Sequence, residues 1–530
     1  MLKLIMPNGL SRDYRTIRRF IKIMETMGAY GFRDLAENVY PNHRFSWMKR
    51  SPGGTEKHSR PQKLRLMFEE LGPTFVKLGQ ILSTRPDLIS KPYADELTRL
   101  TEHVAPFPVE QVEAIIVEEF GKPPQELFAE FSSRPMAAAS IGQVHAAKLK
   151  DGMEVVVKVR RPGIVETINT DLEIMRFIAG KMEEYSESFE RMEPTRIVSE
   201  FAYSLSRELN YRAEAANLLL FHKNMSGTSN MKVPALVQEL SGEKVLTMER
   251  IHGDSVTTVL ADPEKAARYD LKFLAEVGVN SMLSQIFEYG FFHADPHPGN
   301  IFLLKGNILV FIDFGMMGRV SIAERHDFVK VIDYMLRGEI SLMTDCALRM
   351  TISGQFAGSR DDLERDVSDL VDENINLPLD KISVAHILEQ LLQLFEKYHM
   401  ALKPNLYMMF KALITIEHIG RSFNPQLKIV EMVRPFIQQM KLRGMDPRGH
   451  IRRFLDNFGD NLTALESLPL SLRNVVSKFE AGQLTLRVEH HRLNDIEETL
   501  YVTGERLSRS LLVAALLVGS ALIVVAKIPP

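Results

Sequence analysis

His293-Ala294-Asp295-Pro296-His297-Pro298-Gly299-Asn300, followed after one alternating apolar stretch by Asp313-Phe314-Gly315, is the part of the chain from which the fold is read. The intervening Ile301–Ile312 has Gly306-Asn307 at its centre, which predicts a two-stranded hairpin. Asp295 and Asn300 stand five positions apart, the spacing at which a loop offers one aspartate to an attacking hydroxyl or water and one asparagine to a metal ion. Phosphoryl transfer needs those types together with a second metal-holding aspartate, for which Asp313 is placed. Upstream, Val155-Val156-Val157-Lys158 reads as a strand ending on a lysine for the α- and β-phosphates, and Glu208, on a later helix, is the carboxylate expected to orient it. A D-F-G tripeptide alone is a weak signal. The ordered set is a strong one.

A different chemistry shares some of these residues. His293, Asp295 and a distant histidine form a candidate two-histidine-one-carboxylate triad for non-haem iron, which would make an oxygenase. Such triads rest on rigid strand scaffolds, whereas this region reads as helical. Composition narrows the field further. The 530 residues carry 65 basic and 68 acidic side chains, a formal charge of −3, which argues against a nucleic-acid-binding protein. Cys346 is the single cysteine, so an internal disulfide and a thiolate metal cluster are both excluded.

Along the chain, Pro41 to Gln62 reads as a linker. Lys63–Leu71 and Thr74–Ser83 read as helices broken at Gly72-Pro73, and Val109–Phe120 as another. Val144–Leu149 and Glu154–Val159 make a hairpin about Asp151-Gly152. Helices are expected from Asp171 to Met225, then strands near Ala235–Leu240 and Lys244–Glu249, then mostly helix to Lys478. The fold class is therefore α+β, mostly helical, with a small mixed lobe before a larger helical one. Near the N-terminus, Tyr14, Ile17, Ile21 and Met24 lie at helical spacing among arginines and lysines, a pattern that suits docking on the protein or lying on an anionic membrane. Near the other end, Ser510–Ala526 is free of charge, and a helix of that length spans about 25 Å. It reads as a membrane segment just short of the bilayer core, with Arg506 and Arg509 ahead of it favouring a cytoplasmic soluble part; a buried helix is the alternative.

With these residues in view, the sequence resembles the UbiB/aarF-type (ADCK) atypical kinase-like family, which supports coenzyme Q and related quinone-lipid synthesis. The resemblance runs from about Pro61 to Gly318 and rests on Lys77-Leu78-Gly79-Gln80, on Ala137-Ala138-Ala139-Ser140 where a glycine loop belongs, and on the histidine-rich loop quoted above. It implies a two-lobed protein-kinase-like fold in which a helical extension carrying Lys77 and Gln80 covers the active site as a regulatory lid. Asp295, Lys158 and Glu208 become the catalytic set, and Asn300 and Asp313 the metal ligands. Nucleotide is expected against Ala137, Ala138, Ala139, Ser140, Ile141, Gly142, Val144, Lys158, Glu249 and Ile251. The implied division is residues 1–60, amphipathic helix and linker; 61–135, extension; 136–252, small lobe with a helical insertion; 253–430, large lobe; 431–507, C-terminal helices; and 508–530, hydrophobic membrane segment.

ATP or ADP with Mg2+ is the implied cofactor set. Membrane lipid or an isoprenoid quinone precursor, and quinone-biosynthesis enzymes, are the implied partners at the cytoplasmic face of the inner membrane; a homodimer is compatible with it. Two departures from ordinary protein kinases stand out: the alanine-rich turn, and the lack of an A-P-E sequence after Asp313-Phe314-Gly315, which removes a platform for protein substrates. The family's usual second acidic residue after Glu208 is Asn210 here, which offers Lys77 no charge. A nucleotide-binding scaffold without turnover remains an alternative to an enzyme.

Overall fold

The structure, a computed structural model, describes residues 14–32, 58–83, 89–100, 105–185, 194–352, 358–375 and 383–444. Strands, and helices of at least seven residues, are numbered in chain order. The expected membrane segment at 508–530 and most of the expected C-terminal helices at 431–507 lie outside the described residues. Among the described residues no helix is long and apolar enough to cross a membrane.

Among the described residues four helices come first: α1 (Tyr14–Ala29), α2 (Arg60–Leu71), α3 (Pro73–Ser83) and α4 (Lys91–Leu97). α2 starts three residues earlier than the apolar period suggests, because Ser59 and Gln62 form a reciprocal capping box ahead of it. α5 (Val109–Phe120) follows, and then the strands β1 (Glu130–Ala138), β2 (Gly142–Lys148) and β3 (Glu154–Arg160). Two long helices, α6 (Ile164–Tyr185) and α7 (Pro194–Glu208), are inserted before α8 (Tyr211–Met225). Phe20 and Met24 of α1, Phe68 of α2, Phe75 of α3 and Leu97 of α4 share one core with Ile168 and Leu172 of α6 and Phe201 of α7. The amphipathic first helix is therefore docked on its own protein along its apolar face. Arg19 fixes it there, donating through Nε and Nη2 to the fully buried Asp171 at 2.6 and 2.9 Å and through Nη2 to the Leu71 carbonyl at 2.7 Å.

After α8 come β4 (Met231–Lys232), β5 (Val245–Glu249) and β6 (Asp254–Ser255). The small-lobe sheet runs β1-β2-β3-β5, antiparallel throughout. Val155, Val157 and Val159 are all 0% exposed and pack with Val112 and Ile116 of α5. Burying such a side chain contributes about 1.5–3 kcal/mol, and a one-residue slip would expose all three, so this face fixes the register. Lys158 is thereby turned to the other face, where Ala137, Val144, Lys158 and Leu246 form one row across the sheet. β1 was not foreseen from sequence, because Pro135 interrupts its period; it sits at a register shift on the edge strand, where a missing N–H is tolerated. The strand expected at Ala235–Leu240 is instead a single bridge, Leu236 to Met248, followed by a short 3-10 turn at Gln238–Leu240.

The large lobe opens with α9 (Leu271–Leu283), which widens into a π turn at Ser284–Tyr289. β7 (Phe291–His293), β8 (Ile301–Leu304), β9 (Ile308–Phe311) and β10 (Met317–Arg319) bracket the loop quoted at the outset. The β8–β9 hairpin turns at Gly306 and Asn307, both with positive φ (85° and 58°), the geometry whose twist matches paired strands. β7 pairs antiparallel with β10, His293 opposite Met317. Among the described residues six helices follow: α10 (Ile322–Arg337), α11 (Ile340–Arg349), α12 (Arg360–Ile375), α13 (Val384–Lys397), α14 (Pro404–Phe423) and α15 (Ile429–Gly444). Their core gathers Phe287, Phe311, Phe314, Phe328 and Phe410. Phe314, between the two site glycine and aspartate neighbours, is 0% exposed and packs 5.1 Å from Phe221 of α8, which ties the two lobes together.

Candidate active site

The Lys158 ammonium donates to both carboxylate oxygens of Glu214, at 3.0 and 2.9 Å. Glu214, on α8, is buried; Glu208, expected to play this part, ends α7 and pairs instead with Lys77 of α3 at 2.5 Å. The physical reason for the exchange lies between them. Asn210 accepts the N–H of Arg212 and caps α8, so the chain breaks after Glu208 and the two glutamates ride on separate helices. The lid lysine thus has a charged partner despite Asn210. Asn210 was the available signal for the break, and Glu214 is the residue that sequence reading missed.

Burial by itself would lower the Lys158 ammonium, yet Glu214 and Asp313 together hold it well above the usual lysine range. Burial raises Glu214 against the pull of Lys158. Asp313 lies below the usual aspartate range, first through Lys158, against its own burial, and with help from the Gly315 N–H, His293 and Lys77. Lys77, Lys158, Glu214 and Asp313 therefore converge electrostatically although they come from α3, β3, α8 and the end of the β9 loop. Gly79 lets α3 approach, since a Cβ there would stand 2.3 Å from Leu100 and 2.8 Å from Phe68. Gln80 is half-buried on the same helix.

The loop after β7 is held by its own backbone. His297 N–H donates to the Asp295 carbonyl at 2.7 Å, Asn300 Nδ2 to the same carbonyl at 3.3 Å, and Gly299 N–H to His297 Nδ1 at 3.1 Å. The Asp295 carboxylate, two-fifths exposed, has the Lys411 ammonium 3.6 Å away. His293 is 1% exposed, stacks 5.2 Å from Phe311, and burial lowers its imidazole below the usual histidine range. Among the described residues no three of His, Cys, Asp and Glu stand together to hold an ion, so the iron triad has no counterpart there.

The alanine turn joins β1 to β2. Among the described residues, the non-glycine residues with positive φ are Asn230, Asn307 and His399, so Ala137, Ala138 and Ala139 keep ordinary backbone and the turn differs in shape from a glycine flap. Ala137 and Ala139 are exposed, Ser140 is buried, and Ile141 is buried in the core of the helical extension. Its side chain anchors the turn in that core. Gly142 is obligatory in another way: a Cβ would meet Tyr211 Oη at 2.4 Å and the Val159 carbonyl at 2.5 Å. Val144 flanks Lys158 in register. Glu249 ends β5, but its carboxylate is taken by the Lys232 ammonium and by the Ala235 N–H at 3.3 Å; Ile251 follows half-buried where the chain passes to the large lobe.

A probable protein kinase UbiB from Marinobacter nauticus is 34% identical over 477 residues, covering 88% of this chain and 85% of that protein. The chain belongs to the UbiB family. A second UbiB relative, from Azotobacter vinelandii, is 32% identical and covers 92% of each chain. The ABC1 atypical kinase-like domain family matches residues 99–346, and the UbiB helical domain family matches 367–428. Lys158, Glu214, Asp295, Asn300 and Asp313 all fall in the first, while Lys411 falls in the second. A Mycobacterium tuberculosis structure, the complex of Rv3197 with erythromycin, aligns at 24% identity over 69% of this chain and 93% of that one, with a TM-score of 0.48.

Proposed function

We propose that this UbiB protein binds magnesium nucleotide between its two lobes and transfers or hydrolyses the terminal phosphoryl group, in support of isoprenoid quinone synthesis at the cytoplasmic face of the inner membrane. The observation that carries the reading is the bidentate Lys158–Glu214 pair with Asp313 beside it, since a phosphate-holding lysine must be both charged and aimed. Asp313 spends one carboxylate oxygen on the Gly315 N–H, and Asn300 spends its amide N–H on Asp295, which leaves oxygen donors of both for a hard cation. When bound, magnesium supplies positive charge against the terminal phosphates. Asp295 accepts or orients the proton of the attacking oxygen. Lys158 holds the phosphates with Glu214 fixing its direction, and the row Ala137, Val144 and Leu246 gives the base an apolar floor.

The quinone and membrane parts of the reading are supported by family membership. Lys77 of the lid, standing near Asp313, favours water or a small or lipid hydroxyl over a protein acceptor. Phosphate release by the full chain, with and without quinone-bearing liposomes, tests the reading alongside Asp295→Asn. Magnesium-dependent release that Asp295→Asn removes is the expected result. Nucleotide binding with no release by the parent would leave a scaffold, and no magnesium-dependent binding would end the proposal.

A further inference from the structure

We infer that Lys411, on α14 of the UbiB helical domain, is a positioning residue of the phosphoryl-transfer site: it fixes the charge environment of Asp295 and offers an ammonium to the phosphoryl group as that group moves. The inference rests on the proposed nucleotide chemistry. Glu214 is paired with Lys158 and Glu208 with Lys77, while Asp313, the proposed metal ligand, lies in the field of Lys158. Asp295 lies outside that arrangement. Its cation is Lys411, from a helix that begins more than a hundred residues later in the chain.

The geometry of this contact differs from the others. Lys158 and Lys77 approach their carboxylates at 2.9 and 2.5 Å, whereas Lys411 Nζ stops 3.6 Å from Asp295 Oδ1, beyond hydrogen-bonding distance. Lys411 and Asp295 are 39% and 41% exposed, so the ammonium keeps its three donors available beside the carboxylate. At that distance the attraction to Asp295 is electrostatic and uses none of the ammonium's hydrogens, which stay free for an anionic oxygen arriving beside the carboxylate. The backbone supports the placement. Phe410 and Ala412, flanking Lys411, are 0% exposed, so the helix is set firmly while Lys411 projects toward the loop. α14 also packs on β10, whose partner β7 ends at His293, two residues before Asp295.

In the transfer step the attacking oxygen of water or of a hydroxyl compound bonds to the γ-phosphorus. Its proton passes to Asp295, and the bond from that phosphorus to the bridging oxygen breaks, with the electron pair leaving on the nucleoside diphosphate. Lys411 keeps its proton throughout. A fixed cation there favours the negative charge on the moving phosphoryl oxygens and costs no reorganisation.

The test uses the full chain and its magnesium-dependent ATP hydrolysis. Lys411→Ala is expected to lower kcat roughly ten- to hundred-fold, less than loss of a wholly buried donor would, because the group is partly exposed. Nucleotide Kd, measured separately, should stay within about twofold, since Lys158 remains in place. Lys411→Arg should recover part of kcat, and added methylammonium should partly restore Lys411→Ala, which a purely structural role would not allow. Lys411→Met, which keeps the buried stem, should fall as far as Lys411→Ala and guards against misfolding of the alanine variant. If Asp295→Asn loses turnover while Lys411→Ala and Lys411→Met keep it within twofold, the inference fails and the nucleotide site stands. If the parent binds no magnesium nucleotide, both fail together.

Discussion

Replacing Glu214 with glutamine puts the assignment of the two glutamates to a direct test. The substitution keeps the shape of the side chain and one oxygen acceptor but removes the charge that faces the Lys158 ammonium at 2.9 and 3.0 Å. A buried cation that loses its partner costs about 3–5 kcal/mol. Asp313 remains beside Lys158 and shares the charge, so about 3 kcal/mol, the low end, is expected here. Glu208→Gln is the matched control. Its pair with Lys77 is 32% and 16% exposed, so its loss should cost about 1 kcal/mol or less. Urea unfolding followed by circular dichroism reads the stabilities, and titration with a fluorescent nucleotide reads the site. Glu214→Gln should weaken magnesium nucleotide at least tenfold, because Lys158 swings toward Asp313, while Glu208→Gln frees the lid and leaves affinity equal or tighter. The reasoning is wrong if Glu208→Gln proves the more damaging of the two for both stability and binding.

Removing Arg19 by Arg19→Ala leaves Asp171 buried without its bidentate partner and should destabilise the protein by about 3–5 kcal/mol, with α1 becoming sensitive to protease; an unfolding midpoint equal to the parent's would contradict the docked helix. Asp313 titrates in the folded protein below its usual range, so its contribution to stability is present above about pH 4 and is lost as pH falls through the depressed native value. Asp313→Asn should flatten that part of the acid-unfolding curve, and an unchanged acid slope would count against the Lys158–Asp313 proximity.

Much of the local structure was legible in the chain because short-range chemistry sets it. Asp151-Gly152 and Gly306-Asn307 turn where the sequence places them, and both hairpins form. α5 keeps its expected bounds. Less legible were the three-residue strands β7 and β10, which are too short to carry a period, and β1, whose proline masks its alternation. Within the site, the five-residue step from Asp295 to Asn300 was readable because one loop holds both. The partner of Lys158 was not. The sequence pointed to Glu208, whereas the break at Asn210 sets Glu214, six positions on, on a separate helix that faces the lysine.

What the sequence determined alone was therefore the inventory: a strand lysine, a loop with an aspartate and an asparagine, a second aspartate after a hairpin, and a lysine-bearing helix ahead of them. Each follows from contacts within about a dozen residues, where turn and capping chemistry and alternation act directly. Which charge meets which was decided by the tertiary structure. α3, α7, α8 and α14 are set by their buried faces, and those faces carry no information about the charges on the opposite side. Only once the cores are packed do Lys77 and Glu208, Lys158 and Glu214, and Lys411 and Asp295 come to face one another, the last across more than a hundred residues of chain.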